Sequence, residues 1–125
     1  SVPIYDHTRY ADLDGKRAEL HKAELEAAEA EIQARLEVRQ ARRNYEKAMQ
    51  QVATAQKKAD LAKQALELAE TAYENGTGGS LDVTDARRSS RDAQIDLALK
   101  RFESQLSLLT LLRAVGQDMS RLGSD

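Results

Sequence analysis

The chain has no cysteine, no tryptophan, one proline and one phenylalanine in 125 residues. The absence of cysteine excludes disulfides and thiolate metal sites, and the scarcity of bulky aromatic side chains leaves little to fill a globular core. No apolar run approaches the roughly 20 residues that a membrane-spanning helix needs. A basic segment followed by an apolar run, the pattern of a signal peptide, is also missing. These absences predict a thin core and no transmembrane helix.

Charged residues make up 32% of the sequence, and alanine and leucine supply most of its apolar remainder. This composition is typical of coiled coils and long helices. The net charge is only −2, so the chain has no basic surplus with which to neutralise phosphates. We therefore do not expect nucleic acid as a partner.

The first long interval without a helix breaker predicts a helix over residues 11–74. Within it, small and apolar residues recur in alternating steps of three and four, which is the spacing of a coiled-coil seam. They are Val38, Ala41, Tyr45, Ala48, Val52, Ala55, Ala59, Ala62, Leu66, Ala69 and Tyr73. Because alanine covers a seam only when the backbones are near each other, the partner helix is predicted to approach closely. Upstream, over residues 13–34, every second seam position is charged.

The second interval predicts a shorter helix over residues 81–115, with Ser80 as N-cap and Gly116 just beyond its C-terminus. Its first turn carries Asp82, where a carboxylate complements the helix dipole. The largest apolar residues predict the seam, and a second apolar stripe widens it. The seam is Ile95, Leu99, Phe102, Leu106 and Leu109, and the stripe is Leu97, Leu108, Leu111 and Val115.

The segment 75–80 separates the two helices and contains three glycines. Each glycine disfavours a helix interior by about 1 kcal/mol, which argues against one continuous helix in a parallel coiled coil. We therefore predict an all-α chain that forms a single long antiparallel coiled-coil hairpin. The shorter helix covers only the second half of the longer one, so residues 13–34 lack an intramolecular partner. Self-association through this segment is expected.

The sequence offers no catalytic constellation. The glycines before Ser80 are neither preceded by a strand nor followed by the lysine of a phosphate-binding loop. His7 and His21 have no third ligand at helical spacing, and Asp82 and Asp85 are accompanied by no histidine or nucleophile. We predict no metal, no cofactor and no enzymatic activity.

The order of several short motifs resembles the TolC family of outer-membrane efflux proteins. The tip reads Tyr-x-x-Gly-x-x-x-Ser-Leu-Asp-Val-x-Asp-Ala-Arg over residues 73–87, and the second helix ends Leu-Leu-Arg-Ala-Val-Gly over residues 111–116. Near the start, residues 2–6 resemble the family's signature at the point where a transmembrane strand passes into a long helix. The resemblance covers nearly the whole chain and is to the helical part of the family's second repeat. It implies a periplasmic piece of a longer protein of the Gram-negative envelope.

The resemblance also implies roles for residues at the tip. Members of the family are homotrimeric channels whose helices form a tunnel across the periplasm, and their tips contact a periplasmic adaptor that links them to an inner-membrane pump. The implied adaptor-binding residues are Tyr73, Asn75, Gly76, Thr77, Gly78 and Gly79. Asp82 and Asp85 match acidic positions that line the constricted entrance, where copies would repel one another and attract cations. Gly78 stands where some members carry a basic residue that latches the closed state, so the resemblance does not extend to that latch.

A structural coiled-coil adaptor or scaffold hairpin, with no part in a pore, is the alternative function that the sequence leaves open. The substrate cannot be predicted, because drug, metal and protein exporters of this family share the tunnel. Multidrug efflux and type I secretion therefore both remain open.

Overall fold

The protein folds as two antiparallel α-helices joined by a short turn. The structure is a computed structural model that describes the backbone of residues 2–123 and the side chains of residues 10–120 and 123. Helix α1 spans Val2–Glu74 and helix α2 spans Ser80–Gly123. The two helices pack against each other, and the described residues form no strand. The predicted all-α hairpin is confirmed.

Both helices extend further than the sequence prediction placed them. Helix α1 begins at Val2, not near Ala11. Pro3 is accommodated because the first turn of a helix has backbone N–H groups without intrahelical partners, so the missing donor costs little there. The side chains of residues 2–6, which carry the start-of-helix resemblance, lie outside the described ones. Helix α2 continues through Gly116 to Gly123, so Gly116 does not terminate it.

Helix α1 contributes the seam that its sequence predicts. Every predicted member is buried or half-buried except Tyr73, which is exposed. Four of the buried residues are alanines at intervals of seven, namely Ala34, Ala41, Ala48 and Ala55. A seven-residue repeat keeps one face of a supercoiled helix toward its partner. We call this row, from Ala34 to Ala69, the inner seam of α1.

Helix α2 packs through a different row from the predicted seam, although Leu97 and Leu111 of the predicted second stripe belong to that row. Its buried and half-buried residues include an unbroken series in steps of three and four, which we call the inner seam of α2. The series is Val83, Ala86, Ser90, Ala93, Leu97, Lys100, Ser104, Ser107, Leu111, Ala114 and Asp118. Most members are small because the alanines of α1 leave space only for close packing of short side chains. Ala55, Ala59 and Leu97 form the centre of this core, with Val52 and Ala93 packed against them.

The predicted seam of α2 is therefore wrong as the face that contacts α1. Ile95, Leu99, Phe102, Leu106 and Leu109 are all exposed, with Leu99 at 54% and Phe102 at 58% of their maximal accessibility. Each lies two residues after a member of the inner seam. In a helix of 3.5 residues per turn, a shift of two residues turns a side chain by about 206°, almost to the opposite side. We call this row the outer seam of α2.

Two polar contacts join the helices on one face of the hairpin. The Arg101 guanidinium donates a hydrogen bond of 2.7 Å to the Gln56 Oε1. Arg87 lies 3.6 Å from a carboxylate oxygen of Glu70. Glu70 follows Gln56 by two heptads, and Arg87 precedes Arg101 by two heptads. Both contacts therefore fit a single antiparallel register.

The part of α1 before Ala34 has no covering helix. Residues 10–33 are all exposed, including the apolar side chains of Leu13, Leu20, Leu25 and Ile32. Packing by α2 reaches only as far as Ala34, the first buried residue of the inner seam. Self-association through this segment stays a prediction, which sedimentation over a range of concentrations would test.

Candidate functional site

The turn at the tip of the hairpin is built on a single left-handed glycine. Gly76 has φ of +77°, a conformation that residues with a Cβ atom adopt only at a cost. Its N–H donates to the Tyr73 carbonyl at 3.1 Å, and the next N–H, of Thr77, donates to the Ala72 carbonyl at 2.9 Å. This pair of bonds is a Schellman motif, which satisfies carbonyls that a helix end would otherwise leave unpaired.

The Ala72 carbonyl anchors the rest of the turn. In addition to the Thr77 N–H, it accepts the Gly78 N–H at 3.0 Å and the Thr77 hydroxyl at 3.1 Å. Gly78 passes so close to α1 that a Cβ at this position would lie 3.0 Å from the Ala72 Cβ. A basic latch residue at Gly78 would therefore force the turn to shift. Glycine at this position avoids that contact.

Helix α2 is capped by Gly79 and Asp82. The Gly79 carbonyl accepts the Val83 N–H at 3.4 Å, which makes Gly79 the N-cap in place of the predicted Ser80. The Asp82 carboxylate reaches back to accept the Gly79 N–H at 3.3 Å. This is the reciprocal half of a capping box, and it also places a negative charge at the positive end of the helix dipole. Asp82 thus has a local structural role.

The residues implied by the resemblance lie close together at the tip but not on one face. Tyr73 is 53% exposed and shares a shallow groove with Glu70, Thr84 and Arg87. Asn75, Gly76, Thr77 and Gly79 are exposed along the turn, and Gly78 is half-buried. Asp82 and Asp85 are both exposed in the first turns of α2. The tip therefore presents an aromatic side chain on one side and carboxylates on another.

Replacement of glycine by alanine should have opposite effects at two positions. Gly76→Ala is expected to lower the free energy of unfolding by about 1–2 kcal/mol, because the Cβ atom of alanine is sterically strained at positive φ. Gly116→Ala is the matched control: Gly116 lies inside α2, and a Cβ there meets no atom within 4 Å. It should raise the free energy of unfolding by about 1 kcal/mol. Thermal unfolding followed by circular dichroism measures both, and stabilisation by Gly76→Ala would contradict the turn geometry.

The outer seam of α2 is a second candidate site, which the sequence prediction assigned to the interior. It extends from the tip in steps of three and four. Its members are Leu81, Asp85, Arg88, Asp92, Ile95, Leu99, Phe102, Leu106, Leu109 and Arg113. The part near the tip is mostly charged, and the middle is apolar. Heptad spacing is the pattern by which one helix packs against another, so this row fits a further helix.

Other kinds of site find little support in the described part of the chain. No group of three or more histidine, aspartate or glutamate side chains there could hold a metal ion. Neither α1 nor α2, over residues 2–123, has a stretch of the length and apolarity needed to cross a membrane. The grooves that remain are shallow and open along the two-helix surface.

Comparison with known proteins gives one match. No curated protein and no solved structure matches the chain. The profile of the outer membrane efflux protein family matches residues 1–117, which include both helices and the whole tip. Together with the two-helix fold and the turn, this match shows that the chain belongs to the outer membrane efflux protein family.

Proposed function

We propose that the hairpin forms part of the periplasmic tunnel wall of a trimeric efflux or secretion channel and binds a periplasmic adaptor at its tip. The family is one of outer-membrane channel proteins of the Gram-negative envelope, so the proposal adds a position and a contact within such a channel. The hairpin acts as a structural and docking element with no enzymatic step. The inner-membrane pump is engaged only indirectly, through the adaptor.

The outer seam of α2 carries the tunnel-wall proposal. An isolated two-helix hairpin needs one seam on each helix, and α2 has two, on nearly opposite sides. A helix with two seams is stabilised when helices pack on both sides, as in a continuous wall of helices. Burial of large side chains such as Leu99 and Phe102 contributes about 1.5–3 kcal/mol each when it is complete. A scaffold hairpin outside any pore is not favoured, because the family match points to a channel.

Adaptor binding is supported by the hydrogen-bonded geometry and the exposure of the tip. Five hydrogen bonds to backbone acceptors hold residues 75–78 in place, four from N–H groups and one from the Thr77 hydroxyl. A turn that is already held by hydrogen bonds loses less conformational entropy on binding than an unconstrained loop does. Tyr73 stands beside this turn, and exposed tyrosines are enriched among residues that dominate binding energy. An adaptor with a helical hairpin of its own could contact both features.

Tyr73→Ser should weaken adaptor binding without altering the fold. Loss of one aromatic contact at the centre of an interface is expected to reduce affinity about tenfold, or about 1.4 kcal/mol. Tyr10→Ser is the matched control, since Tyr10 is also exposed on α1, at 69%, but lies far from the tip. Titration calorimetry of the chain with the adaptor's hairpin measures both variants. Equal affinities for the two would argue against docking through Tyr73.

The carboxylates of Asp82 and Asp85 are proposed to line the entrance of the tunnel. Both are exposed near the tip, and copies brought together in a trimer would form a ring of negative charge. Asp82→Asn with Asp85→Asn should weaken block by multivalent cations on the order of tenfold in a reconstituted channel. Asp60→Asn with Glu67→Gln removes the same charge from an exposed part of α1 further from the tip and should leave the block unchanged. An unchanged block in the aspartate variant would remove the ring from the proposal.

A further inference from the structure

The spacing of the two seams on α2 shows which faces of the helix remain free between them. In the heptad 97–103, positions 97 and 100 belong to the inner seam, and positions 99 and 102 to the outer seam. Ala98 and Arg101 lie between the seams on one side, whereas only Glu103 lies between them on the other. With 3.5 residues per turn, the seams are therefore separated by about 154° on the Glu103 side and about 206° on the Ala98 side.

Helix α1 has a similar but less complete row of exposed apolar side chains, displaced by two residues from its own inner seam. Three of its large exposed side chains, Leu36, Leu61 and Leu68, each lie two residues after a member of the inner seam. The single position per heptad between these two rows of α1 is occupied by Glu37, Asn44, Gln51, Lys58 and Ala65. Both helices thus have one narrow face, with one residue per heptad, and one wide face.

The narrow faces of the two helices lie on the same side of the hairpin. Gln51 and Lys58 of α1 line one groove with Asp96 of α2. Further from the tip, Glu37 and Asn44 line a groove with Thr110 and Gln117. The Arg101–Gln56 hydrogen bond and the Arg87–Glu70 pair lie on the opposite, wide side. A wall of helices that curves toward the narrow face of α1 therefore also curves toward the narrow face of α2.

In a closed ring of helices, each helix contacts two neighbours, and the angle between those contacts is below 180° on the inside. The narrow faces must consequently point inward. Resting on the proposed tunnel function, we infer that the narrow side of the hairpin lines the lumen of the channel. On α2 this lumen row is Asp82, Ser89, Asp96, Glu103, Thr110 and Gln117.

The chemistry of the narrow side suits a water-filled passage. None of its apolar residues is larger than alanine, whereas the wide side of α2 includes Leu108, Leu112 and Val115. The narrow side carries only one ammonium group, that of Lys58. It carries four carboxylates, those of Glu37, Asp82, Asp96 and Glu103. Such a lining attracts cations and polar solutes. Asp85 lies beside it, at the tip end of the outer seam, so the two aspartates approach the entrance from adjacent faces.

The test uses the absence of cysteine from these 125 residues. In the full-length channel, freed of any other cysteine and reconstituted in planar bilayers, Ser89→Cys and Thr110→Cys place thiols on the narrow side. Gln94→Cys and Gln105→Cys are the matched controls on the wide side. All four positions are exposed, and mass spectrometry would establish that each reacts with a bulky, positively charged methanethiosulfonate reagent.

Modification of the two narrow-side variants should reduce single-channel conductance, because the added group occupies the lumen and repels cations. Modification of the two wide-side variants should leave the conductance unchanged. A loss at Gln94→Cys or Gln105→Cys equal to or larger than that at Ser89→Cys and Thr110→Cys would overturn the orientation while the tunnel function stands. Failure of the unmodified protein to form any channel would overturn the proposed function and this inference with it.

Discussion

Leu97→Ala is expected to lower the free energy of unfolding of the 125-residue chain by about 2–3 kcal/mol. Leu97 is the large side chain at the centre of the packed core and is only 7% exposed. Its neighbours Ala55 and Ala59 are too small to move into the space that truncation would create. Urea unfolding at a concentration where the chain is monomeric measures the change.

Leu99→Ala is the matched control for this prediction. It removes the same atoms two residues away on the same helix, from a side chain that is 54% exposed. We expect a change of about 0.5 kcal/mol or less, as for most surface substitutions. If Leu99→Ala cost as much as Leu97→Ala in the monomer, the assignment of the inner and outer seams would be wrong.

Leu99→Asp with Phe102→Asp should prevent assembly of the full-length channel. In the separate hairpin both positions face water, so the charges cost little. In a wall of helices they would be buried without partners, and a single unpaired buried charge costs several kcal/mol. The expected result is loss of the trimer on non-denaturing gels and loss of efflux in cells.

Ala98→Asp with Arg101→Asp is the control for charge on α2 outside both seams. These positions lie on the wide side, where the proposed ring leaves the helix in contact with solvent. The variant loses the Arg101–Gln56 hydrogen bond, which is exposed and contributes about 1 kcal/mol or less. Trimers should persist. Equal loss of the trimer in both variants would show that assembly does not depend on the outer seam.

The hairpin and the seam of α1 could be predicted from the sequence because glycine marks the turn and the seven-residue repeat marks the face. The seam of α2 could not, because its largest apolar side chains lie on the outer seam and the residues that contact α1 are mostly small. The sequence nevertheless contained one indication of which face of α2 contacts α1. The large row is apolar only from Ile95 onward and could not cover the seam of α1 between Ala59 and Tyr73. The row of small residues starts at Val83 and continues along the whole part of α2 that packs against α1.

At the tip, the sequence indicated where the chain turns but not how each group is used. The positive φ of Gly76 follows from its place after a long helix. The close approach of Gly78 to Ala72 depends on the path of the chain across the turn. Likewise, Ser80 is a common N-cap residue, yet Gly79 takes that position and Asp82 completes the cap. These details depend on backbone geometry that residue type alone does not determine.

The most direct test of the account is the accessibility of the outer seam before and after assembly. Leu99→Cys and Phe102→Cys would be labelled with a water-soluble thiol reagent in the 125-residue chain and in the full-length channel, with Leu97→Cys as a reference buried in the hairpin itself. We predict fast labelling of positions 99 and 102 in the chain and strong protection in the channel. Equally fast labelling in both would contradict a wall of helices built on the outer seam.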